Sequence, residues 1–340
     1  MGEGMIEVIT SINREKWSEF VYGHPYGNIF QTPEMCDVYE RTKNYEPITL
    51  AVVDGGGEIL ALMQATVIRE MEGFLGSFST RALVPGGPLF VVGVGDGDAF
   101  SALIEYYDEI VHEKVLYTEI RMLSAIPNFD LHISRNGYIF EEHFNAHIGL
   151  DKPVGDIWSQ IKRDKKRGIK KAETNGVTIE ECKHKKEIQI FYDLVSETYK
   201  NAKIPLADIS LFEAVFDLLV LMKRAVFLFA KYDDEYIATQ VALMDNNTIY
   251  AWYTGAIREY LSYHPGDLLI WHLLKYGVDN GYKRFDFGGG GTKTEHVNLR
   301  EYKARFGAEF PEYGRYKKVY SPIKMKIAEK GFEVYKRVVI

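Results

Sequence analysis

The sequence predicts an α/β fold, mixed α+β in character, made of two lobes built on one plan. Three observations carry this. The chain has 340 residues, too many for one ordinary core and enough for two of roughly 150 each. Residues 48–68, ITLAVVDGGGEILALMQATVI, read as strand, tight glycine turn and strand, and residues 226–244, VFLFAKYDDEYIATQVALM, repeat the pattern with an acidic turn. Each hairpin is followed by another apolar segment, a helix and a short strand. Two copies of one unit, about 175 residues apart, account for this order.

In the first half the helix falls at 99–114 and the strand is VLYTEIRML. In the second they fall at 266–280 and YKRFDFG. The second strand of each hairpin carries a glutamine, Gln64 and Gln240. The later helix sets Leu269, Leu273 and Tyr276 along one face, with Leu268 and Ile270 beside them, and stops at Asn280–Gly281. Between the copies lies GDIWSQIKRDKKRGIKKAETNG. Ile157, Trp158, Ile161, Ile169 and Ala172 recur there at helical spacing, and Asn175–Gly176 ends the run, which predicts a helix over 156–175. The domain boundary is placed just before it, near Asp151–Pro153, giving domains 1–150 and 151–340. Helices are also expected near 186–200, at 209–222 behind the capping-box pattern Ser210-x-x-Glu213, and at 322–338.

Residues are 46% apolar and 26% charged, the balance of a soluble chain whose lobes can bury cores without disulfides or metal. The two cysteines, Cys36 and Cys182, lie too far apart in sequence to suggest a disulfide framework or a zinc pattern. The opening MGEGMIEVIT lacks the basic and apolar regions of a secretory signal. The longest apolar stretch is broken by Lys223 and Arg224, so no span of a bilayer is expected. Together these predict a cytoplasmic protein. The net charge of −7 argues against non-specific nucleic-acid binding but leaves room for a local basic patch.

The chain contains no GxSxG elbow, P-loop, HExxH or Rossmann GxGxxG after a strand. His143 and His147 invite a metal reading. The alternation of EEHFNAHIGL instead makes a strand, which holds them about 13 Å apart, too far to share an ion. Four glycines, Gly288–Gly291, follow the strand KRFDF. They let backbone pass close to a ligand and expose N–H groups, or form a plain loop exit. Asp286 sits between Phe285 and Phe287, where it either orients a reacting group or anchors the loop. In LREYKARFG, Arg300, Lys303 and Arg305 are interleaved with Tyr302 and Phe306. A lysine aimed at a carbonyl stabilises the charge that develops in acyl transfer; a solvated basic face is the plain alternative. Residues 162–171, KRDKKRGIKK, hold seven basic side chains and one acidic one, suiting a nucleotide diphosphate or RNA backbone, or again a solvated face. Tyr250 and Tyr253 are candidates to line a groove.

Taken in order, IFQTPEMCDVYERT, PGGPLF, NAHIGLDKPVGDIWSQIKRDKKRGIKKAETNGVTIEE, HPGDLLIW, GYKRFDFGGG and YKARFGAEFPEY resemble the FemABX-type peptidyltransferases. These are the methicillin-resistance-protein family, in the FemAB-like branch of the GNAT acyltransferase superfamily. The resemblance runs from about residue 28 to the C-terminus and is most specific in IKKAETNGV and in the pair FDFGG…YKARFG. It implies two tandem GNAT-like domains, each a mixed β-sheet flanked by helices. It implies direct transfer of an activated acyl group, in the best-understood relatives an amino acid esterified to tRNA, to an amine on a cell-wall or peptide precursor. Such members lengthen the peptidoglycan bridge. In the family a lysine in the segment matching YKARFG contacts the acceptor and stabilises the tetrahedral intermediate, and Lys303 occupies that place. Two family features are missing: the long helical arm of some members, and the Q/R-x-x-G-x-G/A loop by which ordinary GNAT enzymes bind acyl-CoA.

The expected catalytic residues are therefore Lys303, Asp286 and Tyr253. Gly288, Gly289, Gly290, Tyr302, Arg300 and Arg305 are expected to bind substrate. Lys162, Arg163, Lys166, Arg167 and Lys170 are expected to meet phosphates. No metal and no tightly bound cofactor are expected. The donor is aminoacyl-tRNA or acyl-CoA as co-substrate, and the acceptor is an amine. Two other readings stay open: an acyl-CoA-dependent N-acyltransferase on a sugar amine or small metabolite, and an inactive paralogue that binds a nucleotide-linked or RNA ligand.

Overall fold

A computed structural model describes residues 6–69, 79–93, 96–245, 247–328 and 330. The chain forms two units, 1–142 with 313–340, and 143–312.

The first unit opens with β1 (Glu7–Ile9) and α1 (Arg14–Gly23), whose first turn is capped by the Asn13 side chain. Thr32 caps α2 (Pro33–Glu40) by accepting from Met35 N–H, and Pro33 occupies the first turn, where its missing donor costs nothing. The predicted hairpin is β2 (Tyr45–Val53) and β3 (Ile59–Arg69). β4 (Thr80–Pro85), β5 (Leu89–Phe90), α3 (Asp96–Val111), β6 (Tyr117–Arg121), α4 (Phe129–Arg135) and β7 (Ile139–Glu141) follow. Phe100, Leu103, Ile104 and Tyr107 of α3 are buried in the core cluster of the first unit, where α3 packs on β2 and β3.

The second unit starts with β8 (Phe144–Gly149), α5 (Val154–Gln160), α6 (Arg163–Thr174), β9 (Thr178–Glu181), α7 (Glu187–Ala202) and α8 (Ile209–Val215). α8 is extended by a π-helical turn at Phe216–Val220. β10 (Ala225–Tyr232) and β11 (Glu235–Met244) form the second predicted hairpin. Its acidic turn is two residues long, Asp233 and Asp234, both at positive φ (46° and 66°), the geometry that follows strand twist. β12 (Thr248–Ala256), α9 (Pro265–Asp279), β13 (Arg284–Gly291) and α10 (Val297–Ala304) complete the unit, and the chain returns to the first as β14 (Arg315–Val319).

The two sheets share one order. In the first it is β1-β2-β3-β4-β6-β14, extended by β7, with β5 beside β3; in the second it is β9-β10-β11-β12-β13-β8. In each, one pair is parallel, β4 with β6 and β12 with β13, and the remaining pairs are antiparallel. The duplication read from the hairpins is thus a duplication of the sheet. Its last strand is exchanged: β8, which follows the first unit in sequence, pairs with β13, and β14, which follows the second, pairs with β6.

This exchange moves the boundary from 150/151 to 142/143 and returns residues 313–340 to the first unit. Lys318 Nζ fixes the returning strand, donating to Asp108 of α3 (2.6 Å) and Asn136 O (2.7 Å), as Tyr320 does to Asp108 (2.5 Å).

Three helix predictions change. The helix expected over 156–175 is two, broken where Ile161 and Lys162 are extended and the Lys162 N–H bonds to Arg305 O instead of the preceding turn. α8 is capped by Asp208 rather than Ser210, because the Asp208 carboxylate accepts from Ser210 N–H. Of the helix expected at 322–338, residues 322–328 are helical, and residues 329 and 331–338 lie outside the described residues.

In the second sheet, Phe227 and Phe229 turn toward α7 and α8, where Phe227 meets Phe191 edge-on. Leu228 and Ala230 turn the other way, into the cluster of Leu269, Leu273 and Leu274 of α9, which is backed by α5 and α6. Among the described residues no helix is long and apolar enough to cross a membrane.

Candidate functional site

The parallel strands β12 and β13 pair over only three positions, Thr248/Arg284, Ile249/Phe285 and Tyr250/Asp286. Beyond Tyr250 and Asp286, β12 continues to Ala256 against β11 and β13 continues to Gly291 against β8. The two strands part there and leave a gap between backbone edges. The parallel pair of the first unit does not part: β4 and β6 stay paired to Pro85/Arg121, and Gly86 N–H extends the ladder to Arg121 O.

The glycine run explains the difference. β13 makes two register shifts against β8, between Asp286 and Gly289 and between Gly289 and Gly291, each inserting one extra residue. Such bulges bend a strand, and Gly288 and Gly291 take the positive φ (76° and 74°) that the bends require. The glycines therefore turn β13 away from β12.

Lys303 reaches this gap from the last turn of α10. Its side chain is buried, 6% exposed, and its Nζ donates to Phe287 O (2.6 Å) and Gly289 O (2.7 Å). A methyl group on Gly288 would stand 3.9 Å from Nζ and 3.8 Å from Ala251 O of β12. Burial pushes the Lys303 ammonium down to about 8, with nearby Asp286 pulling it back up. Asp286 is itself buried, as are Phe285 and Phe287 on the opposite face of the strand. One carboxylate oxygen accepts from Gly288 N–H (2.7 Å), and the other lies 3.2 Å from His147 Nε2 on β8. Burial raises the Tyr250 hydroxyl opposite, reinforced by Asp245 and Asp286.

The other expected residues are placed differently. Tyr253 is set in aromatic packing, its ring stacked on Tyr199 (5.6 Å) and edge-on to Phe212 (4.9 Å), on the face covered by α7 and α8. Its carbonyl accepts from Gln240 (3.0 Å), whereas Gln64 of the first unit donates to Phe30 O (3.1 Å). Arg300 holds the loop after β13: its guanidinium donates to the carbonyls of Gly290 (3.0 Å), Lys293 (3.1 Å), Thr292 and Glu295. Arg305 pairs with Asp164 at the surface (3.3 Å). Gly289 is exposed and Gly288 half-buried, but Gly290 is buried, with Phe310 and Phe144 within 3.2 Å of where a side chain would begin.

Tyr302 points away from the gap. Its hydroxyl donates to buried Asp267 (3.0 Å), and burial together with the Asp267 charge raises it far above the usual phenol range. Asp267, in the first turn of α9, also receives Lys165 of α6 at 2.9 and 3.1 Å and lies 3.3 Å from His264 Nδ1. The Lys165 ammonium lies 4.0 Å from the centre of the Tyr302 ring. Gly168 permits this approach, since a Cβ there would stand 2.7 Å from the Asp267 carboxylate.

The basic block of α6 is thus divided. Lys165 is an internal ion pair. Lys166 is half-buried, donating to Ser159 O (3.0 Å) over the Trp158 ring. Lys162, Arg163, Arg167 and Lys170 are exposed, and the last three follow i, i+4, i+7 along one stripe.

Sequence reasoning missed His147, Lys165 and Asp267. His147 had a usable signal, since it shares its strand face with no apolar neighbour in NAHI. Nothing local singles out Asp267 or distinguishes Lys165 from its basic neighbours. Among the described residues no group of three or more His, Cys, Asp or Glu side chains is placed to hold a metal ion.

Residues 159–304 match the model of an acetyltransferase (GNAT) domain. No curated protein sequence matches the chain. Among solved structures the chain resembles FemX, with a TM-score of 0.70 and 16% identity over 95% of this chain and 99% of that one. It also resembles a tandem GNAT protein from the clavulanic acid biosynthesis pathway, with a TM-score of 0.60 and 11% identity over 94% and 99%. A third likeness is L-PGS from Bacillus licheniformis, with a TM-score of 0.56 and 14% identity over 96% of both chains. At these identities the likenesses establish fold: the chain has the FemX-like architecture of two GNAT units, and its second unit contains the stretch matched as a GNAT acetyltransferase domain.

Proposed function

We propose that the chain is an acyltransferase that passes an activated acyl group directly to an amine, at the gap between β12 and β13, with Lys303 stabilising the oxyanion. The observation that carries this reading is the seating of Lys303. Two of its three N–H donors are held by Phe287 O and Gly289 O, which fixes the direction of the third. A donor held rigidly in a buried site stabilises developing charge without reorganising. The amine attacks the acyl carbonyl, the tetrahedral oxyanion is met by Lys303, and as the carbonyl re-forms the ester or thioester bond breaks, the amine's proton passing to the departing oxygen or sulfur. Holding donor and acceptor together supplies much of the rate, so a strong base is not required.

An aminoacyl ester of tRNA is the donor favoured by the exposed stripe Arg163, Arg167 and Lys170 with Lys162, which suits a phosphate backbone. An amine on a cell-wall or peptide precursor is the corresponding acceptor. The second reading, an acyl-CoA-dependent N-acyltransferase on a sugar amine or small metabolite, is favoured by the acetyltransferase match over 159–304. Incubating the protein with an amine panel and either charged tRNA or radiolabelled acetyl-CoA tests both. Label entering an amine from one donor selects that reading. Binding without turnover from either identifies an inactive paralogue.

A further inference from the structure

We infer that Asp286 and His147 are positioning residues for Lys303, acting through the peptide group between Phe287 and Gly288. This rests on the reading of Lys303 as the group that meets the acyl carbonyl.

The peptide unit Phe287–Gly288 is clamped at both ends. Its N–H donates to Asp286 Oδ1 (2.7 Å), and its C=O accepts from Lys303 Nζ (2.6 Å). A peptide is planar and rigid, so tilting it to suit one partner misaligns the other. The second acceptor of Nζ, Gly289 O, lies just beyond Gly288, whose φ of 76° bends the chain between the two carbonyls. An aspartate accepting the N–H two residues on stabilises a turn of this kind. Asp286 therefore builds the bend, and the bend presents the two oxygens that aim Lys303.

The arrangement is also electrostatic. A carboxylate at the N–H end polarises the peptide and strengthens its carbonyl as an acceptor for an ammonium. Asp286 is 2% exposed, so its charge is costly unless it is partnered. His147 supplies the second partner from β8, 139 residues away, where it is the register partner of Asp286 across the strand pair. The titratable or charged groups facing the cluster include His147 from β8, His143 beside Gly289, Tyr250 from β12 with Asp245 behind it, Arg284 along β13 and Lys303 from α10. Both carboxylate oxygens are engaged inside the strand pair, one on Gly288 N–H and the other on His147, which assigns Asp286 to positioning rather than to general base catalysis.

The test reads Lys303 directly. Protein labelled with 13Cε-lysine and 15N-glycine is titrated by NMR, with Lys303→Arg identifying the lysine signal. Asp286→Asn keeps an oxygen for Gly288 N–H but removes the charge. It is expected to move the Lys303 midpoint from about 8 to lower pH while the Gly288 amide stays slow to exchange. His147→Ala is expected to speed Gly288 exchange by about tenfold or more, and His147→Gln, which can still donate to Asp286, to restore it. An unchanged midpoint in Asp286→Asn, or unchanged exchange in His147→Ala, overturns the inference. If His147→Ala does not fold, Asp286→Asn and His147→Gln decide alone. These signals are independent of turnover, so loss of the role proposed for Lys303 would leave them readable.

Discussion

Lys303 Nζ lies 2.6 Å from the carbonyl oxygen of Phe287, inside the gap that opens where β12 and β13 part. The contact places an ammonium where burial disfavours its charge, and the consequence can be read in pH. Lys303 titrates at about 8 in the folded chain against 10.5 ordinarily. As the oxyanion's partner it must be protonated, so transfer is expected to be full below that value and to fall as pH rises through about 8. Stability moves the other way. Between about 8 and 10.5 the unfolded chain binds more protons than the folded one, so the burial cost is present below 8 and is relieved as pH climbs through this window. Denaturant titrations of wild type and Lys303→Met at pH 7.5 and 10 check the second effect: the advantage of the variant should shrink at pH 10.

Gly288 has a positive φ and opens onto both Nζ and Ala251 O. Gly288→Ala is expected to cost ~1–2 kcal/mol for the left-handed conformation. The added methyl also stands in the gap, so transfer should fall by more than the lost stability explains. Comparing the unfolding midpoint with kcat/KM separates the two. Equal loss of both would remove the gap from the reaction.

The Lys165–Asp267 pair joins α6 to the first turn of α9, with both side chains largely enclosed. Breaking it from one side leaves a buried charge, and Lys165→Met is expected to destabilise by ~3–5 kcal/mol. Lys165→Met with Asp267→Leu should recover part of that loss, and chemical denaturation of the single and double variants measures it.

The exposed stripe predicts a salt-dependent contact. Replacing Arg163, Arg167 and Lys170 together with glutamine removes three positive charges from α6. If these residues meet the phosphates of an RNA backbone, the slope of log K against log salt for tRNA binding should flatten by about two to three. Fluorescence anisotropy across a salt series reads the slope, and an unchanged slope returns the stripe to a solvated face.

The sequence made the sheet plan legible and left its closure hidden. Strand alternation and turn chemistry are local, so both hairpins and α9 could be read directly, whereas the alternation of Asp286 with Phe285 and Phe287 suggested a polar face where the carboxylate is in fact buried. NAHIGL reads as an ordinary strand, RYKKV went unread as one, and no local feature says that one completes the later sheet and the other the earlier one. That is why the boundary fell eight residues late, just past β8, and the return of the chain went unseen. The same distance hid His147 from Asp286. Charge counting across 162–171 could not separate Lys165, turned inward to Asp267, from Arg163 and Arg167, turned out. The glycine run was legible as a break in a strand, but its effect, two bulges that part β13 from β12, depends on the partner strand.

Single-turnover transfer to an amine by wild type and Lys303→Met, with the donor that the wild type uses, tests the central claim most directly. The account predicts a fall of roughly 10²- to 10³-fold in the transfer step, with donor affinity and the fold retained. Transfer by Lys303→Met at the wild-type rate would contradict it.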